Sequence, residues 1–164
     1  MSDYLKPMEL LVGILAFFLC IHGLLFGMLS SEGLLTSLFL TLICYLPHEL
    51  AHMSQGGKYR LSPIMTVISL IASYFRLPFI AIGYVEFTTE ENMLRKATAG
   101  IAMNILIAIA GLLLNFPIVV KPSIIFACSN AFPLYPLDGY IIFQRSKIGW
   151  VLMFTPLFLS VYLI

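Results

Sequence analysis

The sequence predicts an all-α polytopic membrane protein with about four to five spanning helices and a short membrane-associated β element. Of its 164 residues, 60% are hydrophobic and only 10% are charged, and the mean hydropathy is +1.00. Soluble domains carry roughly 25% charged residues, and several apolar segments approach the roughly 20 residues that cross a bilayer. No polar stretch is long enough for a separate core, so one domain over residues 1–164 is expected. The net charge of +1 indicates no nucleic-acid partner.

The first third of the chain contains two predicted spans. Leu10–Leu29 lacks a typical signal-peptide cleavage site and is predicted to be a retained spanning helix. A turn at Ser30–Gly33 leads to a second helix, Leu34–Met53. Ser54–Arg60 is polar and glycine-rich, which predicts a loop.

The remaining segments are less regular. Leu61–Tyr74 is too short for a full span and suits a re-entrant or interfacial segment. Leu77–Thr88 is rich in aromatic and β-branched residues and is predicted to be extended, as a short hairpin. A third span is predicted over Arg95–Leu114, a fourth from Ser123 with two interrupting prolines, and a final apolar segment over Ile148–Ile164.

The basic residues predict a cytoplasmic N-terminus. With that orientation only Lys121 falls outside, and eight of the nine Lys and Arg residues fall inside, as the positive-inside rule requires. These eight are Lys6, Lys58, Arg60, Arg76, Arg95, Lys96, Arg145 and Lys147.

The second predicted span contains the sequence HELAH at His48–His52. Two histidines four residues apart project from one helical face and can share a metal ion. Glu49 lies on the adjacent turn, where it can take a proton from a metal-bound water. Ionisable groups are costly in an apolar segment, so a functional role is favoured.

Asp138 is the best candidate for a third ligand, which a catalytic zinc site needs. It is the one acid outside the motif that falls well inside a predicted span. His48 follows Leu34 by 14 residues and Asp138 follows Ser123 by 15, so both should lie roughly 21–23 Å along helices that enter from the same face. The alternative is a solvated acid at a helix–loop boundary.

HELAH together with NAFPLYPLDG at Asn130–Gly139 resembles the site-2 protease family of intramembrane zinc metalloproteases, over a catalytic core of about residues 34–139. The resemblance implies zinc ligation by His48, His52 and Asp138, with Glu49 as the general base. The expected reaction is hydrolysis of a peptide bond in or near a transmembrane segment of a membrane-protein substrate, close to the cytoplasmic face.

Two asparagines are candidate catalytic residues. Asn104 ends a partial match to the family's Gly-Pro-x-x-Asn element, with Ile101 in the proline position, and Asn130 begins the second motif. An amide can hydrogen-bond the scissile carbonyl or the developing oxyanion, or simply join two helices. The family also implies a β element near Leu77–Thr88 that pairs with unwound substrate; an ordinary surface loop is the alternative.

Two other function classes stay open. A metal-binding transporter or sensor would not need Glu49, whereas a protease would. Another kind of HExxH membrane protease would take its third ligand from Glu86, Glu90 or Glu91, although these lie in a polar stretch.

Three further residues near the motif or in a span attract attention. Pro47 should open the helix wall beside the metal, because proline clashes with the carbonyl four residues earlier. Cys44 lies on the face of His48 and could approach the metal. His22 is expected to hydrogen-bond a neighbouring helix.

Overall fold

The computed structural model describes residues 7–163, which are mostly helical with one small sheet. The elements in chain order are α1 (Pro7–Phe26), α2 (Leu34–Leu40), a π-helix (Thr41–Tyr45), α3 (Leu46–Ser54), β1 (Gly57–Leu61), α4 (Pro63–Tyr74), β2 (Gly83–Phe87), α5 (Met93–Leu113), a 3-10 turn (Pro117–Val119), α6 (Val120–Asn130), α7 (Asp138–Arg145) and α8 (Lys147–Leu163). The predicted fold class is therefore confirmed in outline.

Within residues 7–163, three helices are long and apolar enough to cross a membrane: Met8–Phe26, Leu34–Ser54 and Met93–Leu113. The second of these comprises α2, the π-helix and α3. The predicted fourth and fifth spans are not confirmed, because α6 has only 11 residues and α8 has 17. Helix α6 ends at Asn130, shortly before Pro133, since a residue that precedes proline disfavours helical geometry.

A two-stranded antiparallel sheet joins β1 to β2, with Gly57 opposite Phe87 and Leu61 opposite Gly83. The predicted loop over Ser54–Arg60 is therefore wrong from Gly57 onward. Lys58 and Arg60 alternate with buried Gly57 and Tyr59, a period-two pattern that the polar composition conceals.

The extended conformation predicted within Leu77–Thr88 is confirmed over β2, but the predicted hairpin is wrong. The partner of β2 is β1, which precedes α4. Strand pairing across a helix is non-local, and nothing within the segment itself signals it.

The core surrounds the helix that contains the histidines. Phe17 of α1 stacks on Tyr45 with ring centroids 5.0 Å apart and meets Phe126 of α6 edge-on at 4.8 Å. A second cluster joins α5, α6, α7 and α8 through residues such as Ile101 and Ile142. Large apolar side chains remain exposed on the outward faces of the spans, as lipid-facing surfaces require.

The basic residues are not divided as the sequence predicts. Arg76 and Lys121 line one groove together with Leu25 near the end of α1, and a Cβ on Gly27 would lie 3.3 Å from Arg76 Nη2. The structure therefore does not separate Arg76 from Lys121 as the predicted division requires. Of the nine Lys and Arg residues, Lys6 lies outside the residues that the structure describes.

Candidate metal centre

The helix that presents the two histidines is distorted immediately before them. Thr41–Tyr45 form a π-helix, and Pro47 follows in the first turn of α3. Proline lacks an N–H and clashes with the carbonyl four residues earlier, and a wider π turn relieves the clash. The Asn104 amide donates from Nδ2 to the Cys44 carbonyl at 2.8 Å. The opening expected at Pro47 thus takes the form of a π-helix bonded to α5.

The structure brings His48, His52 and Asp138 together. The Nε2 atoms of the two histidines are 3.3 Å apart, and Asp138 Oδ2 lies 2.9 Å from His52 Nε2 and 3.5 Å from His48 Nε2. The three residues are 1%, 1% and 6% exposed. Their ligand atoms all lie within 4.8 Å of one another, so this buried group can hold a metal ion.

Asp138 reaches the histidines by a route that the sequence did not predict. It does not lie on the helix that begins near Ser123, as the depth comparison assumed. Instead α6 ends at Asn130, the chain turns through residues 131–137, and Asp138 begins α7. The turn is close-packed at Gly139, where a Cβ would overlap the Ala131 carbonyl.

Hydrogen bonds on the far side of each ring fix both imidazoles. His52 Nδ1 lies 2.9 Å from the Lys96 carbonyl, and a carbonyl can only accept, so Nδ1 is the protonated nitrogen. Asn104 Nδ2 donates to the Cys44 carbonyl, so Asn104 Oδ1 faces His48. This oxygen accepts a hydrogen bond from His48 Nδ1 at 2.5 Å. When both rings are neutral, their Nε2 lone pairs point toward Asp138, the orientation that partners of metal-bound histidines typically impose.

Two imidazole lone pairs and a carboxylate oxygen thus converge in a buried space. With both rings neutral, three acceptors face one another and repel unless a positive charge lies between them; without a metal ion, a proton on His52 Nε2 can fill this role by bonding Asp138 Oδ2 at 2.9 Å. A metal ion supplies that charge, and the donor set of two nitrogens and one oxygen suits a transition metal or zinc. The residues present therefore fit a bound metal.

Glu49 and Asn130 border the same pocket without joining the ligand group. Glu49 is 3% exposed, and no hydrogen bond from the described residues holds its carboxylate. Asn130 donates from Nδ2 to the Phe126 carbonyl at 3.1 Å. Asn104 lies behind His48 instead, with both amide atoms engaged.

Strand β2 forms one wall of this pocket through Gly83, Tyr84 and Val85. Burial raises the pKa of Tyr84, and the nearby Glu86 carboxylate raises it further. The phenol is therefore protonated at neutral pH, and it donates to the Glu86 carboxylate at 3.5 Å.

The glutamates considered as alternative third ligands lie elsewhere. Glu86 accepts from Arg60 at 2.9 Å and Glu90 accepts from Arg145 at 3.0 Å. Among residues 7–163, the group that could hold a metal contains Asp138 and neither these glutamates nor exposed Glu91.

Cys44 and His22 have other partners. Cys44 Sγ lies 3.3 Å from Ser123 Oγ, and this sulfur is not part of the metal-binding group. His22 contacts Ser37 Oγ at 3.1 Å and the Ser30 carbonyl at 2.8 Å. The expected helix-joining role of His22 is thus confirmed.

Sequence reasoning missed two contributors from α5. The Lys96 carbonyl orients His52, and a backbone carbonyl leaves no trace in the sequence. Gly100 lies against the centre, where a Cβ would be 2.6 Å from His48 Nε2 and closer still to His52 Nε2. Its glycine identity, four residues before Asn104, was the available signal.

Compared with protein-family models, curated proteins and solved structures, the chain matches none. The fold and the site define a helical protein with three membrane-length helices and a buried group of two histidines and one aspartate that could bind a metal.

Proposed function

We propose that the protein is an intramembrane zinc endopeptidase of the site-2 protease type, acting on a transmembrane protein substrate. One observation carries the proposal: two Nε2 atoms and Asp138 Oδ2 converge while His48 and His52 are each held from behind through Nδ1. Three protein ligands with a general base beside them are the composition of a catalytic zinc site, which leaves a further position for water or substrate.

Glu49 distinguishes hydrolysis from simple metal binding. Zinc at this group would act as a Lewis acid toward the peptide carbonyl and would acidify the attacking water. Glu49 would accept the proton from that water and return it to the departing amine. A transporter or sensor does not need a general base next to the ligands.

The two asparagines have different proposed roles. Asn130 borders the pocket and would donate to the substrate carbonyl as negative charge develops on it. Asn104 would act as a positioning residue, because its amide is committed to His48 and to the Cys44 carbonyl.

Strand β2 is the proposed docking edge for substrate. A substrate helix must unwind before its peptide bond is reachable, and its freed N–H and C=O groups then need partners in a dry environment. Pairing with β2 would supply them. Tyr84 borders both the metal pocket and a neighbouring apolar groove lined by Tyr135 and Tyr140, which would receive a substrate side chain.

The proposed orientation has a cytoplasmic N-terminus and the metal centre nearer that face. The positive-inside rule supports this orientation, which assigns to the N-terminal side the Lys and Arg residues other than Arg76 and Lys121. Cysteine substitutions at Ser54 and Asn115, labelled in sealed vesicles, would check the orientation. Each residue lies at the C-terminal end of a candidate span, and the two spans are antiparallel because His52 lies beside Lys96, so the two residues lie on opposite sides.

Glu49→Gln tests the function directly. The variant should keep zinc, measured by elemental mass spectrometry, and should lose cleavage of co-expressed tagged single-span proteins. Exposed Glu91 provides the matched control, Glu91→Gln, which should keep both. Cleavage by Glu49→Gln at the wild-type rate would refute the assigned role, and a zinc-loaded wild type that cleaves nothing would favour the non-hydrolytic alternative.

A further inference from the structure

An apolar groove far from the metal centre ends at two basic side chains. Its volume is about 460 Å³, and Arg76 and Lys121 lie along it beside Leu25, Ile125 and Val161. Ile125 and Val161 are buried, whereas both cations are exposed. The groove thus combines an apolar floor with a positive rim.

The apolar surface continues beyond this groove. A neighbouring pocket of about 220 Å³ is lined by Phe79, Phe132 and Phe158, and it shares Pro78, Val161 and Tyr162 with the first. An apolar track therefore leads from the two cations along α6 and α8.

Neither Arg76 nor Lys121 has a stabilising role in the local structure. No acidic side chain among the described residues pairs with Arg76 or Lys121. Lys121 lies in the first turn of α6, where the helix dipole disfavours a positive charge. Arg76 has a left-handed φ of 56° just after α4, where glycine or asparagine is usual. A bulky residue in that conformation invites a functional explanation.

The two cations also border the end of a candidate spanning helix, where a bilayer would have its headgroups. The candidate span of α1 ends at Phe26, and Gly27 directly follows, against the Arg76 guanidinium. Basic pockets between membrane helices bind anionic lipid headgroups through their positive charge.

We propose that this groove binds one phospholipid with an anionic headgroup. The phosphate would lie between Arg76 and Lys121, and an acyl chain would follow the apolar track toward Phe158. The proposal commits to a lipid over free phosphate because the track is apolar along its length. It does not depend on the metal centre or on hydrolysis.

The test uses the full chain in a neutral detergent. Native mass spectrometry would compare binding of phosphatidylglycerol and phosphatidylcholine to the wild type and to the double variant Arg76→Gln/Lys121→Gln. The wild type should bind one phosphatidylglycerol about 10- to 30-fold more tightly than phosphatidylcholine. Each cation near an anionic headgroup contributes about fivefold in affinity, and the groove has two. The double variant should lose this preference. The control Arg145→Gln/Lys147→Gln, at the other end of the molecule, should keep it.

Three results would overturn the proposal. The first is equal wild-type affinity for the two lipids, and the second is an unchanged preference for phosphatidylglycerol in the double variant. The third is displacement of bound phosphatidylglycerol by millimolar inorganic phosphate alone. If the double variant fails to fold, Lys121→Gln alone replaces it, because this side chain is exposed. That variant should lose several-fold in preference, whereas Arg76→Lys should retain most of it.

Discussion

Asn104 connects His48 to the π-helix that precedes it, accepting from His48 Nδ1 at 2.5 Å and donating to the Cys44 carbonyl at 2.8 Å. The same amide therefore bonds the distorted backbone and selects the imidazole tautomer. The distortion before Pro47 and the geometry of the proposed ligand group are coupled through one side chain on α5.

Replacing Asn104 by alanine should weaken zinc binding. The His48 ring would lose the acceptor that orients it, and such partners are typically worth 10- to 100-fold in metal affinity. Competition against a chelator of known affinity measures the effect, with exposed Asn115→Ala as the control. Unchanged zinc affinity with lost cleavage would instead favour the role first expected from the sequence, a direct contact with substrate.

A methyl group at Gly100 should destroy the metal centre without weakening α5. Alanine favours a helix interior over glycine by about 1 kcal/mol, but its Cβ would displace both imidazoles. Gly100→Ala should therefore lose zinc and retain its helical circular dichroism. Ala102→Val, on the exposed face of the same helix, should retain zinc. Full zinc occupancy in Gly100→Ala would mean that the close approach to the histidines is incorrect.

His22 should matter for stability alone. His22→Phe would leave the Ser30 carbonyl and Ser37 hydroxyl without their partner, at a cost of about 1–3 kcal/mol for each polar group left unsatisfied in the interior. Unfolding in mixed detergent measures the loss, and zinc content should stay at the wild-type level. A His22→Phe protein of normal stability that lacks zinc would place His22 in the metal site after all.

The sequence predicted that His48, His52 and Asp138 lie together, but it did not predict the chain path that brings Asp138 to the histidines. Spacing alone placed His48 and His52 on one helical face, because helix periodicity is local. Asp138 was identified by its chemistry, an acid in an apolar setting, although the helix assigned to it ends eight residues earlier at Asn130. The turn between them depends on close packing at Gly139, which only the folded chain reveals.

Non-local contacts account for the other differences. Strand β1 looked like a loop because its partner lies beyond α4. Arg76 was expected on the cytoplasmic side because its position was inferred from an assumed topology, whereas it lines the same groove as Lys121 and lies next to Gly27 at the end of α1. Neither the pairing of β1 with β2 nor the position of Arg76 can be predicted from the residues that neighbour it in sequence.

Proline substitutions along β2 should affect cleavage with a period of two. In an antiparallel pair the N–H groups of alternate residues point to opposite edges, so one set within Gly83–Phe87 faces β1 and the other faces the proposed substrate edge. Proline removes one N–H. In the β1-facing set it should lower stability, whereas in the other set it should abolish cleavage and preserve both zinc content and unfolding temperature.

Alanine at the same β2 positions provides the control, because it keeps the N–H while removing the side chain. Alanine variants should cleave in both sets, except where a side chain such as that of Tyr84 itself contacts substrate. Equal cleavage by proline variants at adjacent positions would show that no backbone pairing occurs along β2. Substrate would then have to reach the metal centre by another wall of the pocket, since β2 would contribute only side chains.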